Sequence, residues 1–327
     1  MINRRTLAGL MAGAALLPAA LSTGLRAEGT DTAPMPKPGK RDWASEVPQI
    51  RIGLLGGENE SDRLGRFEEY RKLIEDTFKV PVRLFPAADY AGVMQAFSAA
   101  QIEASSMGAS GYAGTWLDTH GAVEPLVVPV EADGSISYIS CMVTRKDSGI
   151  TSLEEMKGHS LAWADPNSTS GYLIPRSELR GQGIDIDKYF SRTGFAGGHE
   201  QGVVAVLQKQ YDACCTWASG IGDESKGFSR GNLQAMVEKG MLTMSDLNII
   251  WKSRPIPNGP LVVRKALPAS FKKDFRDFHL ALPTEHPKVY ADIERGGGKG
   301  YARITHEQFE PIVQLRREEA AERRRRS

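Results

Sequence analysis

From residue 49 onward, short apolar runs alternate with amphipathic helical segments, and this alternation restricts the chain to an α/β architecture. Residues 49–55 read as a strand running into Gly56-Gly57, residues 64–78 as a helix, and 82–85 as the next strand. Asp89 is a good N-cap for a helix over 90–100. Strands follow at 125–130 and 138–144, then a short helix over 153–158 stopped by Gly158. A second series begins at Ser160, with a strand over 160–163, a helix after Ser168 and a strand near 189–194. A helix over 200–210 and strands at 212–217, 248–252 and 260–264 complete it, the last two separated by Pro255-Ile256-Pro257-Asn258-Gly259. Two such series predict two lobes. The expected division is 48–142 for the first lobe, 143–257 for the second and 258–312 for the return, with the cleft between them as the ligand site.

The ends of the chain read differently. Met1-Ile2-Asn3-Arg4-Arg5 is a basic start, followed by a small, apolar stretch from Ala8 to Ala20, which reads as an export signal ending by residue 27. Arg4-Arg5 resembles a twin-arginine signal, with an ordinary secretory signal as the alternative. The mature chain is expected to be exported and to start at Thr23 or Glu28, with 28–47, rich in proline, as a flexible leader. Residues 313–327 read as a charged helix fraying into a basic, solvated tail. Lys plus Arg number 41 against 40 Asp plus Glu, so no overall field points to nucleic acid or to a membrane surface. Cys141, Cys214 and Cys215 lack metal-ligand spacing. They read as buried small hydrophobes, although an oxidising compartment permits a bridge from Cys141 to one of the pair.

Chemistry concentrates in Asp165-Pro166-Asn167-Ser168-Thr169-Ser170-Gly171. Three hydroxyls at a helix start, with the free N–H groups of the first turn, make an anion site that suits a tetrahedral oxyanion. A simple N-cap is the competing reading. Gly197-Gly198-His199-Glu200 places His199 at another helix start, as an anion donor or as a cap. Tyr90 opens the helix after Asp89, either facing the cleft or packed. No nucleophile elbow, His-Glu-x-x-His or Walker loop accompanies them, so no catalytic residue, metal or cofactor is expected.

Four motifs occur in order: Ala88-Asp89-Tyr90-Ala91-Gly92; Asp165-Pro166-Asn167-Ser168-Thr169-Ser170-Gly171; Ala196-Gly197-Gly198-His199-Glu200; and Ile250-Trp251-Lys252-Ser253 with Ile256-Pro257-Asn258. With them, from about Ile52 to about Ala266, the chain resembles the PhnD-type phosphonate-binding proteins, periplasmic receptors of phosphorus-oxyanion ABC importers. The resemblance implies a two-lobed type II periplasmic binding protein fold that closes by hinge bending. It implies that Ser168, Thr169, Ser170 and His199 hold the phosphonate oxygens and that Tyr90 closes over them from the other lobe. It further implies a monomer that delivers its ligand to a membrane permease and binds no nucleic acid.

The departures from the family pattern concern the ligand's far end. Ser219 and Gly259 stand where members that take aminoalkyl phosphonates carry carboxylates, and Met107, beside Ser106, stands for a pocket tyrosine. A buried ammonium there would lack its partner. The expected ligand is therefore phosphate, phosphite or a small alkyl phosphonate, unless Asp223 or Glu224 supplies the charge. Two other readings are open on the same fold: a sensory module for the same anion, and an enzyme with His199 as general base on phosphate or phosphonate esters.

Overall fold

Ile50, Ile52 and Leu54 are all buried along strand β1 (Ile50–Leu54), which pairs in parallel with β2 (Val82–Pro86), Ile50 opposite Val82. The crossover helix is α1 (Glu60–Phe78). Asn59 caps it by accepting from the Asp62 N–H at 3.1 Å, and Lys79, left-handed at φ 57°, ends it. The computed structural model describes residues 30–326. The first series continues with α2 (Tyr90–Ser98), β3 (Ala104–Ser106), α3 (Ala109–Asp118) and β4 (Val123–Val130). Asp89 caps α2 as the sequence predicts, accepting from the Gly92 N–H at 2.9 Å.

The second series is β5 (Ser137–Arg145), β6 (Ser160–Trp163), a π-helical turn (Thr169–Leu173), α4 (Ile174–Gly181), α5 (Ile186–Tyr189) and β7 (Arg192–Phe195). It runs on through α6 (His199–Leu207), β8 (Ala213–Ala218), α7 (Asn232–Glu238), β9 (Leu247–Lys252) and β10 (Ile256–Pro257). The return comprises β11 (Leu261–Arg264), α8 (Ala269–Glu285), α9 (Pro287–Glu294), β12 (Gly300–Arg303) and α10 (Glu310–Arg326).

These strands build two mixed sheets. The first has the order β12-β4-β11-β3-β1-β2 and the second β10-β5-β8-β6-β7, with β9 added on β5. In the first, β1 is parallel to β2 and β3. In the second, β6 is parallel to β7 and β8. The second sheet is buried on both faces. Cys214 packs into one core cluster with Val203 and Val206, and its neighbour Cys215 into another with Leu161 and Trp163, because successive strand residues face opposite ways. All three cysteines are free thiols.

Three expectations change. The first crossing between the sheets lies at residues 131–136, because all of β5 belongs to the second sheet, and not at 142/143. The return crossing spans residues 258–260, and Asn258 ties the two crossings together. Its N–H donates to Ile136 O at 2.8 Å, and its Nδ2 to Pro129 O at 3.0 Å and Glu131 Oε1 at 2.9 Å.

The described part of the leader is docked. Trp43, 2% exposed, packs edge-on against Phe78 and Phe271 and donates from Nε1 to Asp274 at 2.9 Å. An indole of that size buried in an aromatic cluster outweighs the local flexibility that proline-rich composition suggests. The export signal expected over residues 1–27 falls outside the described residues.

The charged C-terminal helix is a strut. α10 packs on α3 of the first lobe, and its far end reaches the second lobe. Arg316 donates to Asn167 Oδ1 at 2.9 Å, Tyr172 to Glu319 at 3.2 Å and Arg176 to Glu322 at 3.4 Å. Its charges find partners on the π-turn and α4, which lie far from it in sequence.

The lobes meet closely. The Ser110 N–H at the start of α3 donates to Thr169 Oγ1 at 2.8 Å, and Lys239 pairs with Asp62 at 3.3 Å. Gly198 faces Gly57 so tightly that a Cβ on Gly198 would stand 2.3 Å from the Gly57 Cα. Gly198 has φ 170°, which any residue adopts, so the need for glycine there comes from the other lobe. Gly198→Ala is expected to destabilise the closed form by on the order of 1–3 kcal/mol, the range for overpacking. Small-angle scattering should then show a larger radius of gyration than wild type. An unchanged radius would contradict this contact.

Candidate functional site

The parallel strands of both sheets send their C-terminal ends toward the cleft, and the residues expected at the site follow them, where open α/β sheets hold ligands. After β1 come Gly56 and Gly57, after β2 Tyr90, and after β3 Met107 and Gly108. From the other lobe, β6 leads to Ser168, Thr169 and Ser170, and β7 to His199. All of these line one cavity of about 250 Å³.

Ser168 is the N-cap of the π-turn. Its Oγ accepts from the Gly171 N–H at 3.0 Å and lies 3.1 Å from His199 Nε2. Thr169 and Ser170 open the turn, where N–H groups have no partner within the helix. All three hydroxyl residues are at most 2% exposed. Gly171 is required by close approach, since a Cβ there would meet Ala164 Cβ at 2.4 Å and His199 Cε1 at 3.0 Å. Thus one hydroxyl of this motif, that of Ser168, caps the turn and at the same time touches His199. Asp165 is buried outside the cavity lining. Its Oδ1 accepts from the Asn167 N–H at 2.6 Å, while burial pushes its pKa up.

His199 is buried, and burial, assisted by the positive charge of Arg295, pushes its pKa down to about 3. The imidazole is therefore neutral near pH 7 and carries a single N–H rather than a full charge. Tyr90 faces it from the first lobe, and burial raises its phenol pKa, with Asp165 adding to the effect. The phenol thus remains a proton donor at any ordinary pH. Tyr138 on β5 is also buried in the lining with its pKa raised by burial, and the Ser170 and Thr169 hydroxyls interact with it.

The remaining expected positions divide. Ser106, Met107 and Gly259 line the cavity. Ser219 is outside the lining, with its Oγ 2.9 Å from Ser229 Oγ. Asp223 and Glu224 are exposed on the second lobe, Asp223 accepting from the Ser225 N–H at 2.9 Å and Glu224 paired with Lys252. Neither supplies a charge to the cleft.

Sequence reasoning missed a set of buried charges. Arg63, Arg66, Arg230 and Arg295 line the cavity with Glu58 and Glu294. Arg66 and Arg295 both pair with Glu58, at 2.5 and 2.7 Å. Arg230 pairs with Glu131 and, at 3.2 Å, with Glu294, and lies 5.4 Å over the Trp217 ring. One signal was available: Arg63, Arg66, Phe67 and Tyr70 stand at i, i+3, i+4 and i+7, a single face of α1. No spacing rule links Arg230 to Glu131 or Glu294, because the return of the chain brings them together.

With the geometry in place, comparison with known proteins is decisive. The sequence profile of the phosphonate ABC transporter periplasmic substrate-binding proteins matches residues 52–309. The chain belongs to this family. It is 28% identical over 278 residues to the phosphonates-binding periplasmic protein of Escherichia coli (strain K12), covering 81% of this chain and 75% of that one. The crystal structure of a binding protein component of an ABC phosphonate transporter from Pseudomonas aeruginosa superposes with a TM-score of 0.70 at 30% identity, over 82% of this chain and 85% of that one. PhnD1 from Prochlorococcus marinus, solved with methylphosphonate, shares the fold with a TM-score of 0.70 at 18% identity, over 83% and 98% of the two chains. The two-lobed fold expected from the motifs is the fold of this family.

The depressed His199 pKa has a measurable consequence. Between about pH 6.5, where an imidazole in the unfolded chain protonates, and about 3, unfolding takes up a proton. Stability is therefore full above about pH 6.5 and is lost as pH falls through this window. His279, pushed down to about 4 by burial, adds to the same loss. Urea unfolding at pH 7.5 and 4.5 should show wild type losing more stability than His199→Gln. Equal losses would contradict a buried, neutral His199.

Proposed function

We propose that this protein is an exported periplasmic receptor that captures a phosphorus oxyanion in the cleft and delivers it to an ABC importer, as a monomer and without turnover. The observation that carries the reading is the convergence of Ser168, Thr169 and Ser170, neutral His199 and, from the opposite lobe, Tyr90 on one buried cavity. In this reading the hydroxyls, the N–H groups of the π-turn and the imidazole hold the phosphoryl oxygens. Neutral donors suit an anion that must later be released, because they offer hydrogen bonds without a permanent ion pair. A histidine with a pKa of about 3 is a weak base at neutral pH, which favours binding over general-base hydrolysis.

The cleft carboxylates support a ligand without a cationic end. Glu58 is taken by two arginines, and Glu294 by Arg230 and the Tyr301 hydroxyl, the latter at 2.6 Å. An ammonium would compete with guanidinium groups already in place. Isothermal titration of the mature protein should therefore give tighter binding of phosphate, phosphite or methylphosphonate than of 2-aminoethylphosphonate. Ser168→Ala should weaken it by about 10- to 100-fold, from about 1.5–3 kcal/mol for a hydrogen bond to a charged group. A preference for the aminoalkyl ligand would refute the charge argument. Undiminished affinity in the variant would refute the site.

A further inference from the structure

The cavity continues past the hydroxyl cluster into the first lobe, between Ile52 and Leu261 of the sheet and Phe67, Tyr70 and Ile293 of α1 and α9. Its volume of about 250 Å³ far exceeds the roughly 10–15 Å³ that one water requires, and exceeds what a bare tetrahedral anion fills. This extension is not a plain apolar pocket. Arg63 is 3% exposed, and both of its hydrogen bonds go to backbone carbonyls, those of Leu55 and, at 3.0 Å, Ala87. The Nε atoms of Arg63 and Arg66 are buried without hydrogen-bond partners.

Three of the four guanidinium groups have a carboxylate in direct contact, and one does not. Glu58 alone serves Arg66 and Arg295, while Glu131 and Glu294 are held by Arg230. Those three glutamates pair directly with three of the four arginines, while Arg63, which feels Glu58 and Glu60 only at longer range, hydrogen-bonds only to carbonyls. Burial lowers the pKa of Arg63 and of Arg66, and for Arg66 the neighbouring Arg295 lowers it further. A buried cation short of an anion is costly, and a second acid group on the ligand would supply one.

We propose that the physiological ligand is a phosphonate whose substituent ends in a second oxyanion, with the phosphoryl end on Ser168, Thr169 and Ser170 and the far end against Arg63 and Arg66. The inference rests on the phosphorus-oxyanion reading of the hydroxyl cluster and names the ligand class of that site. The apolar walls at Phe67 and Tyr70 then pack the carbon chain between two anionic ends.

Titration of the full mature protein tests it with ligands that differ only at the far end. The series comprises propylphosphonate, 3-aminopropylphosphonate, ω-carboxyalkyl phosphonates with two to four methylenes, and propane-1,3-diphosphonate. At least one two-ended anion should bind tenfold or more tightly than propylphosphonate, and the carboxylate and diphosphonate arms identify which oxyanion is preferred. Arg66→Gln should bring that ratio close to one, and Arg66→Lys should restore part of it. Thermal melts of the ligand-free variants establish that they are folded. If propylphosphonate binds and no two-ended anion binds more tightly, this inference is wrong while the oxyanion reading stands. If no phosphonate binds at all, the oxyanion reading fails and this inference falls with it.

Discussion

The closed geometry turns on one buried guanidinium. Arg230 belongs to the second lobe, yet its partners are Glu131 on the first crossing segment and Glu294 at the end of α9 in the first lobe. Asn258 on the return crossing shares the Glu131 carboxylate at 2.9 Å. A single cation therefore links both lobes to both crossing strands. Removing one partner from such a buried pair costs roughly 3–5 kcal/mol, because it leaves the other charge stranded out of water. Replacing the whole set with apolar groups is often neutral, so its value here is geometric. It holds the lobes at the separation where Gly57 meets Gly198 and where Tyr90 faces the hydroxyl cluster.

Within that frame the cleft divides by charge. The end formed by the second lobe offers neutral donors: three hydroxyls, the open turn of a π-helix and an imidazole kept neutral by burial. The chamber in the first lobe concentrates fixed charges, with Glu58 shared by two arginines and Arg63 held by carbonyls alone. Arg295 lies close enough to both ends to bear on His199 and Tyr90 electrostatically. In the proposed reading, neutral donors select a tetrahedral head by geometry, while the charged chamber acts on whatever the head carries. α10 adds a brace outside the cleft, spanning from α3 to the π-turn that presents the hydroxyls. Opening of the lobes must therefore strain or release the contacts of Arg316, Glu319 and Glu322.

Much of this was legible in the sequence, for identifiable reasons. Strand and helix periods reported the two series, and local rules located the cap at Asp89 and a capping hydroxyl somewhere in Ser168-Thr169-Ser170, because a cap depends on neighbours three residues away. Three of the four motifs carried the hydroxyl cluster, His199 and Tyr90, which line one cavity. What stayed hidden was long-range. β5 reads as a strand of either sheet until its pairing with β8 and β9 assigns it. Trp43 reads as part of a proline-rich leader until Phe78 and Phe271 surround it. The arginine chamber draws on α1, α9 and the loop before α7, and no periodicity connects those segments. Ser219 was placed in the pocket by analogy of position, whereas the turn after β8 directs its hydroxyl to Ser229.

The central claim is that the three hydroxyls and His199 form the seat of the phosphoryl group. The most direct measurement is a crystal structure of the mature protein grown with methylphosphonate. The account predicts closed lobes, with phosphonate oxygens within hydrogen-bond distance of Ser168, Thr169, Ser170 and His199 and with Tyr90 over the ligand. An anion bound elsewhere in the cleft, with these residues keeping only one another as partners, would contradict it.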